Sequence, residues 1–255
     1  FNLGKTRLNK AQLQYNESDF LGSEISALKA LRFLKGEETN DITYELFNLL
    51  GIVYNELGEY DKAIEFHNKA IAILEKSPTP VEFQSKATTM NNLGLVYLNL
   101  GQFQKAIPYF EKGLEQKNDL ILYKPFVYGM LLNNLGYSRF KLKNLNGIPE
   151  LFYESLKVRD SLKLTIGIIA TKLNICEYFA SKGNLSKSLQ YSNEALVEAR
   201  ESKNARNLLP PLKQLAIIEP QKAAEYNKEY IRINDSIQKA DRKIADKFTR
   251  IEYET

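Results

Sequence analysis

The chain is poor in the residues that most site chemistries require. It has 255 residues but one cysteine, Cys176, and one histidine, His67. A lone cysteine forbids an internal disulfide, and one imidazole leaves no His/Cys metal cluster and no Cys–His or Ser–His pairing beyond that single ring. Glycine and proline are also scarce, at 13 and 8 residues, which suits an all-β chain badly, because such a chain needs a turn about every ten residues. No run approaches 18 consecutive apolar residues, and the longest fragments resemble Ile166 to Ala170, so no segment reads as a membrane span. Neither sign of charge dominates: 35 Lys and Arg stand against 31 Asp and Glu, for a net +4. The two signs are interspersed, which favours solubility and does not mark a polyanion-binding surface. With 44% hydrophobic residues the chain buries a sizeable core, so helix is the expected state. The sequence starts at Phe1 rather than methionine and reads as a processed or excised piece of a longer protein.

What the sequence does have is a repeat. LLGIVYNELGEYDKAIEFHNKA from Leu49, NLGLVYLNLGQFQKAIPYFEKG from Asn92 and NLGYSRFKLKNLNGIPELFYES from Asn134 align without gaps, and NICEYFASKGNLSKSLQYSNEA from Asn174 is a weaker copy. The steps from Gly51 to Tyr54, Gly58, Tyr60, Ala63 and Ala70 recur from Gly94 to Tyr97, Gly101, Phe103, Ala106 and Gly113. Apolar residues recur at three and four, so each copy is two amphipathic helices, the first ended at Gly58, Gly101 or Gly183. Gly51, Gly94 and Gly136 fall inside the first helix, where each costs ~1 kcal/mol relative to Ala. Close approach of the paired helix is the compensating gain.

This pattern resembles the tetratricopeptide repeat, from about Leu3 to about Ile237. The resemblance implies an all-α, right-handed superhelix of about six hairpins, with units near 1–36, 42–76, 85–117, 127–160, 167–200 and 206–237. The spacing between copies exceeds the 34 residues usual for the repeat, so SPTPVEFQSKATT and KNDLILYKPFVYG are expected to extend helices or form linkers. Beyond the superhelix, residues 238–255 are expected to leave it as a capping or coiled-coil helix, since Ile233, Ile237, Ala240, Ile244, Phe248 and Ile251 approximate a heptad. KFTRIEYET is similar to the segment that precedes a membrane span and an output domain in bacterial envelope repeat sensors. That likeness implies the soluble, periplasmic part of a membrane-anchored regulator, or otherwise a cytoplasmic protein.

The first helices carry asparagine at one phase: Asn48, Asn91 and Asn92, Asn133 and Asn134, Asn174. Asparagine is a mediocre helix former, so its repetition calls for a compensating interaction. In peptide-binding members of the family, asparagines at this phase meet a ligand's main chain. A carboxamide suits that task because it donates and accepts at once. First helices ~10 Å apart and a peptide rising ~3.3 Å per residue give one rung about every third residue. A second reading has the amides bridge adjacent helices, with no ligand involved. Glu45, Tyr137 and Lys141 complete the candidate ligand-binding set; Ile52, Asn55, Leu95, Leu98, Asn99, Met130 and Phe140 are expected beside them.

The groove so defined lacks the clustered Lys and Arg that would clamp a terminal carboxylate or bind RNA. His67, at the position of Phe110 and Phe152, and Cys176, at the glycine position, read as packing residues. No cofactor and no metal are expected. The function these features imply is a non-enzymatic, peptide- or protein-binding scaffold, the ligand-sensing region of a bacterial signalling or transcription regulator. The alternative is an assembly adaptor that pairs through its convex face or its C-terminal helix, which could also mediate oligomerisation.

Overall fold

A computed structural model of the chain describes residues 2–34, 40–75, 80–115 and 117–254. It is all-α and forms two bodies, Phe1–Asn146 and Gly147–Thr255.

In the first body, α1 (Asn2–Asn16) pairs with α2 (Phe20–Phe33), α3 (Asn40–Glu56) with α4 (Tyr60–Leu74), and α5 (Pro80–Asn99) with α6 (Phe103–Gly113). A short helix α7 (Lys117–Tyr123) then precedes α8 (Pro125–Lys141). Each second helix also packs on the first helix of the following hairpin: α2 on α3, α4 on α5, α6 on α8. The first helices α1, α3, α5 and α8 are neighbours in that order. In the second body, α9 (Ile148–Ser161) packs on α10 (Thr165–Ser181), α10 pairs with α11 (Leu185–Glu201), and α12 (Leu209–Ile218) pairs with α13 (Ala223–Glu254).

The hairpin turns follow from backbone chemistry. Gly58 and Gly101 sit at φ +75° and +71°, in the left-handed region that needs no Cβ. The next amide reaches back five residues, Glu59 N to Tyr54 O at 2.8 Å and Gln102 N to Tyr97 O at 2.8 Å, which satisfies a carbonyl left open at the helix end. Ser18, Lys143, Lys163 and Lys203 adopt the same left-handed conformation without being glycine. Asp19 and Asn184 accept from the amides of Gly22 (2.9 Å) and Lys187 (3.1 Å), capping α2 and α11.

Packing supplies most of the helical stability. Leu46, Leu50 and Val53 of α3 close on Ala27, Ala30, Ala63 and Val96, all fully buried; complete burial of one such Leu or Val contributes about 1.5–3 kcal/mol. In the second body, Leu212 and Leu215 of α12 meet Leu196, Ile233 and Ile237.

Two stretches differ from the sequence expectation in form. KNDLILY is a separate helix of seven residues anchored by buried Leu120, and Pro125 opens α8 at a first-turn position where its missing amide is not needed. The C-terminal helix is continuous from Ala223, so the segment after residue 237 prolongs the second helix of the last hairpin. The side chains of Ile244, Phe248 and Ile251, with the heptad they suggest, lie outside the described residues.

Candidate functional site: an amide relay across the first helices

Asparagine at one helical phase places carboxamides where α3, α5 and α8 run side by side. They are joined in a continuous relay. Asn133 Nδ2 donates to Asn134 Oδ1 (3.3 Å), Asn134 Nδ2 to Asn91 Oδ1 (3.0 Å), Asn91 Nδ2 to Asn92 Oδ1 (3.5 Å), and Asn92 Nδ2 to Asn48 Oδ1 (3.2 Å). Thr89 Oγ1 also donates to Asn48 Oδ1 (3.4 Å) and lies 3.1 Å from the Tyr44 hydroxyl. Every amide donates in the same sense, from α8 toward α3, so the bonds polarise one another cooperatively. Asn91 and Asn133 are buried, at 1% and 6% exposure, while Asn48, Asn92 and Asn134 are half-buried and line the outer edge.

Two helical turns further along, Asn99 Nδ2 donates to Asn55 Oδ1 at 3.0 Å, a second rung between α3 and α5. Sequence reading placed these two beside the groove without pairing them. The visible signal was their shared offset of seven residues from Asn48 and Asn92.

The remaining candidates sit along the same stripe. Glu45 is exposed on α3, one turn before Asn48. Tyr137, one turn after Asn134, meets Phe103 of α6 edge-on at 6.2 Å, and Lys141 lies over the Tyr137 ring at 4.9 Å. Arg139 turns to α6 and pairs with Glu111 at 2.8 Å. Asn174 is half-buried on α10, in the second body.

Behind this surface the α3–α4 and α5–α6 hairpins are each locked by a pair sixteen residues apart, as is α10–α11 in the second body. A Cβ on Gly51 would meet the His67 ring at 2.5–2.6 Å, and one on Gly94 would lie far inside van der Waals contact of the Phe110 ring. In the second body the volumes are exchanged: Cys176 replaces the glycine and Ser192 the aromatic, with Sγ and Oγ 3.0 Å apart. Ser188 Oγ lies 3.3 Å from the same sulfur and donates to the Cys176 carbonyl. His67 is the odd member. It is fully buried, Nδ1 and Nε2 have no hydrogen-bond partner, and burial pushes its pKa down to about 3, so the ring is neutral.

Residues 43–119 match the family described as tetratricopeptide repeat. No curated protein sequence matches the chain. Among solved structures, the chain is similar to BtubC (BKLC) from P. vanneervenii, with 22% identity over 76% of this chain and 78% of that one and a TM-score of 0.63. It is similar to the apo form of RapI, with 14% identity over 96% and 68% of the two chains and a TM-score of 0.71. A Rap protein complexed with competence and sporulation factor is similar over 90% of this chain and 76% of that one, with 14% identity and a TM-score of 0.66. At such identities the likeness is one of fold. The repeated spacing, the interlocked hairpins and the family match together mark residues 43–119 as tetratricopeptide repeats, within a chain whose fold is shared with these solved structures.

Proposed function

We propose that the first body binds an extended peptide or protein segment across α3, α5 and α8, and that the chain is the ligand-sensing region of a bacterial signalling or transcription regulator. The observation that carries this reading is what the relay leaves over. A carboxamide has two N–H donors and two acceptor lone pairs. Asn92 spends one donor on Asn48 and one lone pair on Asn91; Asn134 spends one of each on Asn91 and Asn133. Asn92 and Asn134 therefore each keep one donor and one acceptor, the complement of a peptide unit, while Asn48, whose oxygen accepts from both Asn92 and Thr89, keeps its donors. Bridging the helices and reading a partner's main chain are then successive uses of one side chain, the first holding it in place for the second. Preorganisation of this kind lowers the ordering cost of binding.

Each added bond contributes about 0.5–1.5 kcal/mol net, so affinity comes from several rungs, and selectivity from Glu45, Tyr137 and Lys141 along the stripe. The similarity to a Rap protein solved with competence and sporulation factor supports a binding role for this fold. Sensing further requires that the ligand bind one conformation of the repeats more tightly than another.

The test selects binders from a random-peptide phage library on the 255-residue chain, then measures them against Glu45→Lys and Tyr137→Ala, neither of which breaks a rung. Loss of about tenfold in affinity, ~1.4 kcal/mol, with a melting temperature unchanged in Glu45→Lys, is the expected result. Failure to enrich any peptide, or affinities indifferent to both substitutions, refutes it.

A further inference from the structure

The second body contains a cation whose burial the relay and the hairpin locks do not explain. Arg159, near the end of α9, is 6% exposed, yet among the described residues no carboxylate lies within ion-pairing distance of it. A buried charge without a counter-ion is strongly disfavoured, and desolvation lowers the guanidinium pKa to about 10. Among the described residues its bonds come from one nitrogen: Nη1 donates to Gly167 O (2.6 Å) and Thr171 Oγ1 (2.7 Å), both on α10. The Nε and Nη2 donors make no bond within the described chain and are not sealed from solvent. These two form the parallel fork that binds oxyanions bidentately.

The guanidinium lies against the start of α10, where room is made for it. A Cβ on Gly167 would meet Arg159 Cδ at 2.9 Å, Nε at 3.0 Å and Cζ at 3.3 Å. That same first turn has no side-chain cap, and among the described residues neither the Ile166 nor the Gly167 amide donates to a carbonyl. A 17-residue helix presents partial positive charge at this end. The arginine fork and the first-turn amides of α10 are thus two sets of unused donors in the same part of the second body.

We infer that Arg159 and the first turn of α10 form an oxyanion site, which takes a carboxylate through the Nε/Nη2 fork with the Ile166 and Gly167 amides alongside. The site is separate from the amide relay and does not depend on the peptide-binding reading. A carboxylate fits the planar fork edge to edge; a phosphate offers the same oxygens in a tetrahedron, and the two anions are separable by titration.

The test is NMR of the 15N-labelled full chain, following the arginine Nε–H resonance that disappears in Arg159→Lys. Should that variant fail to fold, the resonance is assigned through its own side-chain carbons in the wild type. Sodium acetate and sodium phosphate are titrated in parallel against sodium chloride at matched ionic strength. The expected result is a saturable shift of the Arg159 Nε–H and of the Ile166 and Gly167 amides with acetate, larger than with chloride. Saturation by phosphate alone overturns the carboxylate assignment, and shifts no larger than those from chloride overturn the site.

Discussion

Replacing His67 with phenylalanine should both stabilise the first body and remove an acid sensitivity from it. The ring fills the space above Gly51 that phenylalanine fills above Gly94, so the larger side chain has a native precedent one hairpin away. Two buried ring nitrogens lack hydrogen bonds, and an unsatisfied buried polar group costs about 1–3 kcal/mol. The pH dependence has a definite sign. The folded pKa, about 3, lies below the ordinary value of 6.5, so between these values the unfolded chain binds more protons than the folded one. Stability is therefore fully present above pH 6.5 and falls as the pH drops toward 3. At 1.36 kcal/mol per unit, the loss at pH 5 is about 2 kcal/mol. Urea unfolding of wild type and His67→Phe at pH 7.5 and 5.0, followed by helical circular dichroism, measures both effects. The variant should gain about 1–3 kcal/mol at the higher pH, and its loss on acidification should be smaller than that of wild type by about 2 kcal/mol. Equal acid sensitivity in the two proteins would refute the reasoning, even if the variant were more stable.

The exchanged volumes at Cys176 and Ser192 predict coupling elsewhere. Phe110→Ser alone should cost about 3–5 kcal/mol through the cavity it leaves, and Gly94→Cys alone should be destabilising through its clash with the ring. Combined, they should cost less than their sum by at least about 1 kcal/mol in a double-mutant cycle; strict additivity would show that the pair does not interlock. Asn134→Ala takes a partner from Asn91 and from Asn133, both buried. It should cost about 1–3 kcal/mol by chemical denaturation, and a loss under about 0.5 kcal/mol would mean that the relay does not stabilise the body.

The hairpins were legible because their spacing is carried by few, chemically distinct residues. Gly58, Gly101 and Gly183 mark the turns, and Gly51 and Gly94 mark the close approach. Elsewhere the same geometry is reached without the signal. Lys143 and Lys163 take the left-handed turn conformation with ordinary side chains, so no residue type marks those turns in the sequence. The helix Lys117–Tyr123 is too short to show a period and reads as a linker. Asparagine's phase was visible, but not the sense of donation along the relay, which arises only when three helices are laid side by side. Arg159 was the least legible: an arginine near a helix end reads as solvated, and only Gly167, far enough along the chain to lie on the next helix, makes the space that buries it.

The one-way donation through Asn133, Asn134, Asn91, Asn92 and Asn48 also bears on mechanics. Sliding α5 along α3 or α8 by a single turn would carry each amide past its acceptor, so interhelical rungs would break as a set rather than one at a time. Under load, α3, α5 and α8 should hold as a ratcheted plate that resists shear up to a threshold, leaving compliance to the hairpin turns on either side.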